Sequence, residues 1–429
     1  MSQAPVVSVP HDPYAPLRIV NFRWFVASIL AMAMGAQIQG VVVAWQMYAV
    51  THDALALGMV GLAEAAPFIA CALYAGHVAD LLDRRRIMLG ALAILLCCSA
   101  ALAVASALFL ARGRGGRWIQ GTIYAVIVVC GAARSFLLPA RNALGADLVP
   151  RPLFPSAVAW RTGLWQVAAV SGPAIGGILY VWVGATSSYA IAAALMAIAF
   201  FMVVQIAAPA RPPVIREESL IESVRAGLAF LFSRPIFLGA MTLDLLAVLF
   251  GGAVAILPLF ADEILHVGPQ GLGALRAAPA VGAVLMSALL ALRPPPGRAG
   301  RLFLSAVALF GVFTIGFALS RWFWVSMVVL AASGAADMLS VYFRGTLLQV
   351  LVPSSMLGRV SAVNQIFIGS SNEIGAFESG LAAKLVGTVS SVVAGGIVTV
   401  VVTLVTAWRV PALRRLDRLE EQQAISAGP

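Results

Sequence analysis

The chain has 429 residues, of which 61% are hydrophobic and 11% charged, and its formal net charge is +10. Soluble domains are nearer half apolar and a quarter charged, so a soluble enzyme is excluded as the frame. With a mean hydropathy of +0.96, the arginines between apolar runs read as membrane topology signals and not as a nucleic-acid footprint.

Residues 1–17 carry no basic region ahead of the first apolar run, and that run is too long for a signal peptide. The N-terminus is therefore expected to be retained. Twelve apolar runs follow, at about 20–47, 55–79, 87–110, 118–138, 160–182, 186–208, 236–260, 271–292, 302–320, 322–343, 360–383 and 388–408. Each can cross the hydrocarbon core as a helix, which satisfies its own backbone hydrogen bonds. The expected fold class is an all-α membrane protein with twelve transmembrane helices.

An even number of spans puts both termini on one side. With that side cytoplasmic, the inner loops collect most arginines, including Arg84, Arg85 and Arg86. The outer loops hold mainly Arg112, Arg114, Arg117, Arg321 and Lys384. The RGRGGR cluster at 112–117 is the outer exception. Trp118, Trp182, Trp322 and Trp324 fall near outer span ends, where an aromatic belt belongs.

The longest polar interruption divides the chain into 1–208, a cytoplasmic linker at 209–235, and 236–429 with a cytoplasmic tail. Leu220, Ile221, Val224 and Leu228 give the linker an amphipathic helix. Two pseudo-symmetric six-helix halves joined in this way suggest a secondary transporter with its site between them.

Residues 76–88, GHVADLLDRRRIM, join spans 2 and 3. Gly76 is expected to let helices approach closely. Asp80 ends a helix whose dipole disfavours a carboxylate, so it needs a cation. Such charges either hold an inner gate, together with Arg84 and Arg85, or only fix topology. In span 5, SGPAIGG supplies Gly172, Pro173, Gly176 and Gly177; small residues allow close packing and proline bends the helix, whether for gating or for ordinary packing.

The 76–88 stretch resembles the loop motif of the major facilitator superfamily, G-x-x-x-D-R-x-G-R-R. Gly76, Asp80, Arg84 and Arg85 match, while Leu81 and Asp83 depart from it. NFRWF at 21–25, RSFLLPARNALGADLVPR at 134–151, GAADMLSVYFRGTLLQ at 334–349 and GRVSAVNQIFIGSSNEIGAFESG at 358–380 resemble the branch of enterobactin exporters and macrolide-efflux-like proteins. SGPAIGG resembles the Gly-Pro motif of drug antiporters. The resemblance implies alternating access and proton-coupled export of an amphipathic organic compound, such as a siderophore or macrolide-like drug, from the cell (inner) membrane. An uptake symporter or facilitator, and a non-transporting sensor or scaffold, stay open as alternatives.

Ionisable groups at membrane depth are costly and usually functional. They are Glu64 in span 2, Arg134 in span 4, Asp244 in span 7, Asp337 in span 10, and Glu373 and Glu378 in span 11. A carboxyl group in a dry cavity can load and release a proton near neutral pH. Asp337 and Glu373 lead as proton carriers, ahead of Glu64 and Glu378; static ion pairs are the alternative. Asp337 shares a helix face with Ser340 and Arg344 and is expected to meet an arginine from another helix, whereas Asp244 is expected to meet a linker arginine. Gln39, Trp45, Gln46, Glu64, Phe68, Arg134, Asn364 and Asn372 are the candidate substrate contacts, with helix–helix hydrogen bonding the alternative for the amides. No G-x-x-x-x-G-K-[ST] loop is present, so ATP is not the expected drive. The four histidines are dispersed and the four cysteines sit in apolar runs, so neither a metal nor another cofactor is expected.

Overall fold

The computed structural model describes residues 12–113, 116–207, 229–232, 235–293, 299–352 and 356–416. Helix α1 is Val20–Thr51, apolar on every side, and it stops where His52 turns left-handed. Helix α2, Ala54–Leu81, begins at Asp53, whose carboxylate accepts the Leu55 N–H at 3.0 Å. Helix α3, Arg84–Arg112, is capped in the same way by Asp83, which accepts from the Arg85 N–H at 2.9 Å. Each cap satisfies an otherwise orphaned donor.

Helix α4 is Gly116–Asp147 and α5 is Phe154–Val204. The runs expected at 160–182 and 186–208 are both within α5, which is interrupted at Gly184 with φ 75° and ψ 175°. Only glycine adopts that backbone conformation readily, so one residue takes the place of a loop. Of the expected linker helix, 209–228 and 233–234 lie outside the described residues, and 229–232 are helical.

Helix α6, Pro235–Gly251, ends early. The chain continues through the 3₁₀ turn Val254–Ile256, the short helix Leu257–Leu259 and the π turn Phe260–Ile264. Then come α7 Gly268–Leu292, α8 Ala299–Leu319, α9 Phe323–Leu351, α10 Leu357–Val386 and α11 Thr388–Arg409. No strand occurs among the described residues, as the expected all-α class requires. Among the described residues, ten stretches are long and apolar enough to cross a membrane. Helix α10 is as long but more polar, carrying Asn364, Asn372, Glu373 and Glu378.

Helix α1 packs on α5, α2 on α4, and α3 on both α4 and α5; α7 and α8 pack on α9, and α11 on α8 and α6. Two further junctions, α2 with α10 and α5 with α7, tie these sets together. Both depend on bare backbone. A Cβ on Gly58 would lie 3.0 Å from the Gly380 Cα, and one on Gly177 would lie 3.1 Å from the Gly273 Cα. Small residues at membrane interfaces permit such approach.

Gly76 differs from the expectation. A Cβ there would meet nothing within 4 Å, so among the described residues no helix closes on it.

Candidate functional site

Four charges converge from four helices. Glu64 on α2 forms an ion pair with Arg134 on α4. Gly131 makes this possible, because any side chain there would strike the Glu64 backbone. From α7, the Arg276 guanidinium crosses to α1 and donates to the Gly40 carbonyl at 2.9 Å. Gly40 leaves it room, since a Cβ would stand 3.4 Å from Nη2. Glu373 on α10 interacts electrostatically with Glu64, Arg134 and Arg276. Among the described residues it has no ion pair or side-chain hydrogen bond of its own. Two carboxylates and two guanidiniums thus sit across the junction of α2 and α4 with α7 and α10. In so low a dielectric their mutual energies are large.

A second cluster joins α6 to α9. Asp244 pairs with Arg344 at 2.8 Å, with side chains 7% and 6% exposed. The Ser340 hydroxyl donates to Asp244 at 3.3 Å. This corrects two expectations. Asp244 meets Arg344 on α9, where a linker arginine was expected; the linker arginines themselves lie outside the described residues. Among the described residues Asp337 pairs with no arginine from another helix; it lies in the field of Arg344 on its own helix, one already engaged by Asp244. Asp337 instead lines a cavity of about 180 Å³ together with Arg276, Thr314, Ser333 and Asn372. The cavity forms where α6 gives way to turns. Ser379 Oγ donates to the freed Gly252 carbonyl there at 2.8 Å.

The proposed amide contacts divide. Gln39 and Gln46 are each 4% exposed and are used up between helices. Gln39 accepts from Ser99 at 2.6 Å. Gln46 donates to Ser106 at 3.0 Å and accepts from Tyr189 at 2.9 Å. They do share a face, as their heptad spacing required, but α3 and α5 cover it. Trp45 is likewise buried, against Tyr48 and Tyr180. Asn372 is exposed and donates to the Ile368 carbonyl of its own helix at 2.9 Å. Asn364 has a buried Oδ1 without a hydrogen-bond partner. Phe68 lies against Gly369, where a Cβ would be 2.9 Å from the ring. Glu378 is half-buried and has no partner among the described residues.

Of the loop motif, the Asp80 side chain lies outside the described residues. Arg84 pairs with Asp147 at 2.6 Å and donates to the Ala143 carbonyl at 3.2 Å. Arg85 donates to the carbonyls of Val203 and Val204 at 3.2 and 2.6 Å. Terminal carbonyls of a helix attract cations, so the two arginines bind α3 to the ends of α4 and α5. In the span 5 motif, Gly172 and Pro173 are buried; a Cβ on Gly172 would be 2.6 Å from the Gln37 Cβ, and one on Gly176 would be 3.1 Å from the Ile38 Cα. Gly177 faces α7. The motif therefore fits α5 between α1 and α7.

Arg276 went unread in the sequence, although its charge within an apolar run was the available signal. Arg141 is one of the inner-side arginines that the topology reading accounts for, and it sits on α4. It lies one heptad from Arg134, hence on the same face of α4. Its guanidinium lies 5.3 Å from the Trp165 ring centroid, and its Nε has no hydrogen-bond partner.

The molecule is sealed at the end where α1 turns into α2. Tyr48 donates to Asp262 at 2.8 Å and to Glu263 at 3.2 Å, and Lys384 meets Asp53 at 2.8 Å. Towards the opposite end, Gly76 and Gly163 have open space around them and Tyr74 is 64% exposed.

The family model described as a transmembrane secretion effector matches residues 11–426. The enterobactin exporter of Escherichia coli O157:H7 is 28% identical over 404 residues, covering 91% of each chain. That of Citrobacter koseri is 28% identical over 388 residues, covering 88% of each. Among solved structures, a bacterial homologue of the iron transporter ferroportin in an inward-facing state superposes with a TM-score of 0.69 at 15% identity, over 93% of this chain and 99% of that one. A POT family transporter in complex with a thioalcohol-conjugated peptide gives 0.70 at 12% identity, over 91% and 96%.

Proposed function

The chain belongs to the transmembrane secretion effector family of major facilitator transporters, and from that premise we propose that it is a proton-coupled exporter of an amphipathic organic compound. It is a multi-pass membrane transporter and not an enzyme. In our reading it has twelve spans in two six-helix halves, 1–208 and 236–429, with the linker 209–235 between them. Helix α5 counts as two spans across Gly184, and α10 counts as one despite its polar residues. The arginine distribution favours cytoplasmic termini, which makes the sealed end external and the present conformation inward-open.

The observation that carries the reading is the set of four charges contributed by α2, α4, α7 and α10. Ionised Glu373 attracts Arg134 and Arg276 and holds the halves together near the middle of the membrane. Protonation removes that attraction and lets the halves rock, which is the alternating access of this architecture. Asp337, on a cavity shared with Arg276, is the second carrier; Glu64 sets the position of Arg134, and Glu378 stands outside the cluster. Substrate enters from the cytoplasmic side past Phe68, Asn364 and Asn372. Arg134, Arg141 and Arg276 favour a compound bearing negative charge. Enterobactin export by the relatives supports a siderophore-like substrate over a macrolide-like drug.

The test is transport in inverted vesicles. An acidic lumen is expected to drive accumulation of an anionic catecholate probe, and a protonophore to abolish it. Accumulation that needs ATP and ignores the gradient contradicts the reading.

A further inference from the structure

A groove of about 860 Å³ lies on the outer surface between α3 and α4, and none of the paired charges lines it. Ile94, Cys97, Ala101, Gly121, Ala125 and Val129 line it, all of them exposed. In a transmembrane helix pair such a surface faces hydrocarbon. Arg117 and Trp118 stand at its mouth. Arg117 is exposed and has no carboxylate partner among the described residues.

We propose that this groove binds one phospholipid with an anionic headgroup, its acyl chain between α3 and α4 and its phosphate on Arg117. Three observations converge. The first is length: from Arg117 to Val129 the groove runs about 18 Å along α4, a little more than one leaflet of a hydrocarbon core about 30 Å thick. It therefore accepts a single acyl chain and ends near the bilayer midplane.

The second is charge. Arg117 belongs to the RGRGGR run that goes against the arginine distribution of the other loops, and an anionic headgroup gives Arg117 a counter-charge at the membrane surface. The third is Trp118, whose amphipathic ring suits the water–lipid boundary. A second copy of this chain fits less well. A twofold contact centred on the groove would bring two such arginine clusters together.

The experiment is native mass spectrometry of the purified full chain, titrated separately with phosphatidylglycerol and phosphatidylcholine. The first is expected to bind at least tenfold more tightly, at one site. Arg117→Gln is expected to weaken phosphatidylglycerol about fivefold, the worth of one surface arginine towards an anionic lipid; Arg117→Lys, which keeps the charge, restores it. Gly121→Leu is expected to abolish the tight site for either lipid by filling the groove. A Cβ at Gly121 meets nothing within 4 Å, so this variant keeps its fold, which thermal unfolding checks. Equal affinity for the two lipids overturns the proposal, as does a site indifferent to Gly121→Leu. Conversion of a dimer to a monomer by Gly121→Leu assigns the groove to a second copy instead, and also overturns it.

Discussion

The two charged clusters are built from the same residue types and differ in confinement. Asp244 and Arg344 are almost wholly enclosed, at 7% and 6% exposed, and each has the other as its partner. In the junction cluster the paired side chains are 18% exposed at Glu64 and 36% at Arg134, while Glu373 and Arg276 have no ion pair of their own among the described residues. An enclosed pair in which each charge faces the other has one stable arrangement. A half-open set of two carboxylates and two guanidiniums, only two of them in an ion pair, has several of similar energy, which a transporter that must alternate requires. On the proposed mechanism the enclosed pair holds helices in register, and protonation acts at the open set.

The largest expected effect tests the first half of that contrast. Arg344→Met strands Asp244 in the core, and breaking a buried pair costs about 3–5 kcal/mol. Thermal unfolding in detergent should register the loss, and Asp244→Leu added to Arg344→Met should recover it, because apolar replacement of a whole pair is close to neutral. A single variant as stable as the parent would break the comparison.

Next is the sealed end. A Cβ on Gly380 would lie 2.6 Å from the Ala54 carbonyl oxygen and 2.8 Å from the Gly58 nitrogen, backbone that cannot step aside. Gly380→Leu is expected to push α10 off α2. Spin labels at His52→Cys and Leu385→Cys should then separate by several ångström, and transport should fall at least tenfold. Unchanged distances would mean that the glycine contact does not close this end.

Glu64→Gln sharpens the contrast from the other side. It leaves Arg134 unpaired at a site partly open to water, so unfolding should shift less than for Arg344→Met while transport drops about tenfold. The reverse ranking would make the junction cluster the structural one. The smallest effect belongs to Lys384→Ala. Its pair with Asp53 is exposed, at 48% and 35%, and such pairs contribute up to about 1 kcal/mol. The same spin-label distance should shift its populations by no more than fivefold, and less in high salt.

Much of the fold could be read from apolar run length, because a bilayer imposes one length on every span. The junction at Gly184 could be read as a boundary but not as a single residue, since a φ of 75° is invisible to hydropathy. The break after Gly251 was unreadable for a similar reason: the run stays apolar through Leu259 while the backbone leaves the helix. At the site, Glu64, Arg134, Asp337 and Glu373 stood out because charge in an apolar run is conspicuous. Which of them pair did not, because pairing depends on how helices rotate against one another. Gln39 and Gln46 show the limit. Heptad spacing placed them on one face, and only packing determines whether that face meets substrate or α3.

The central claim rests on Glu373, and its most direct test separates uphill transport from exchange. In proteoliposomes, Glu373→Gln should keep substrate binding and equilibrium exchange within about threefold of the parent and lose pH-driven accumulation entirely, its thermal unfolding unchanged. Full pH-driven accumulation by Glu373→Gln would contradict the account.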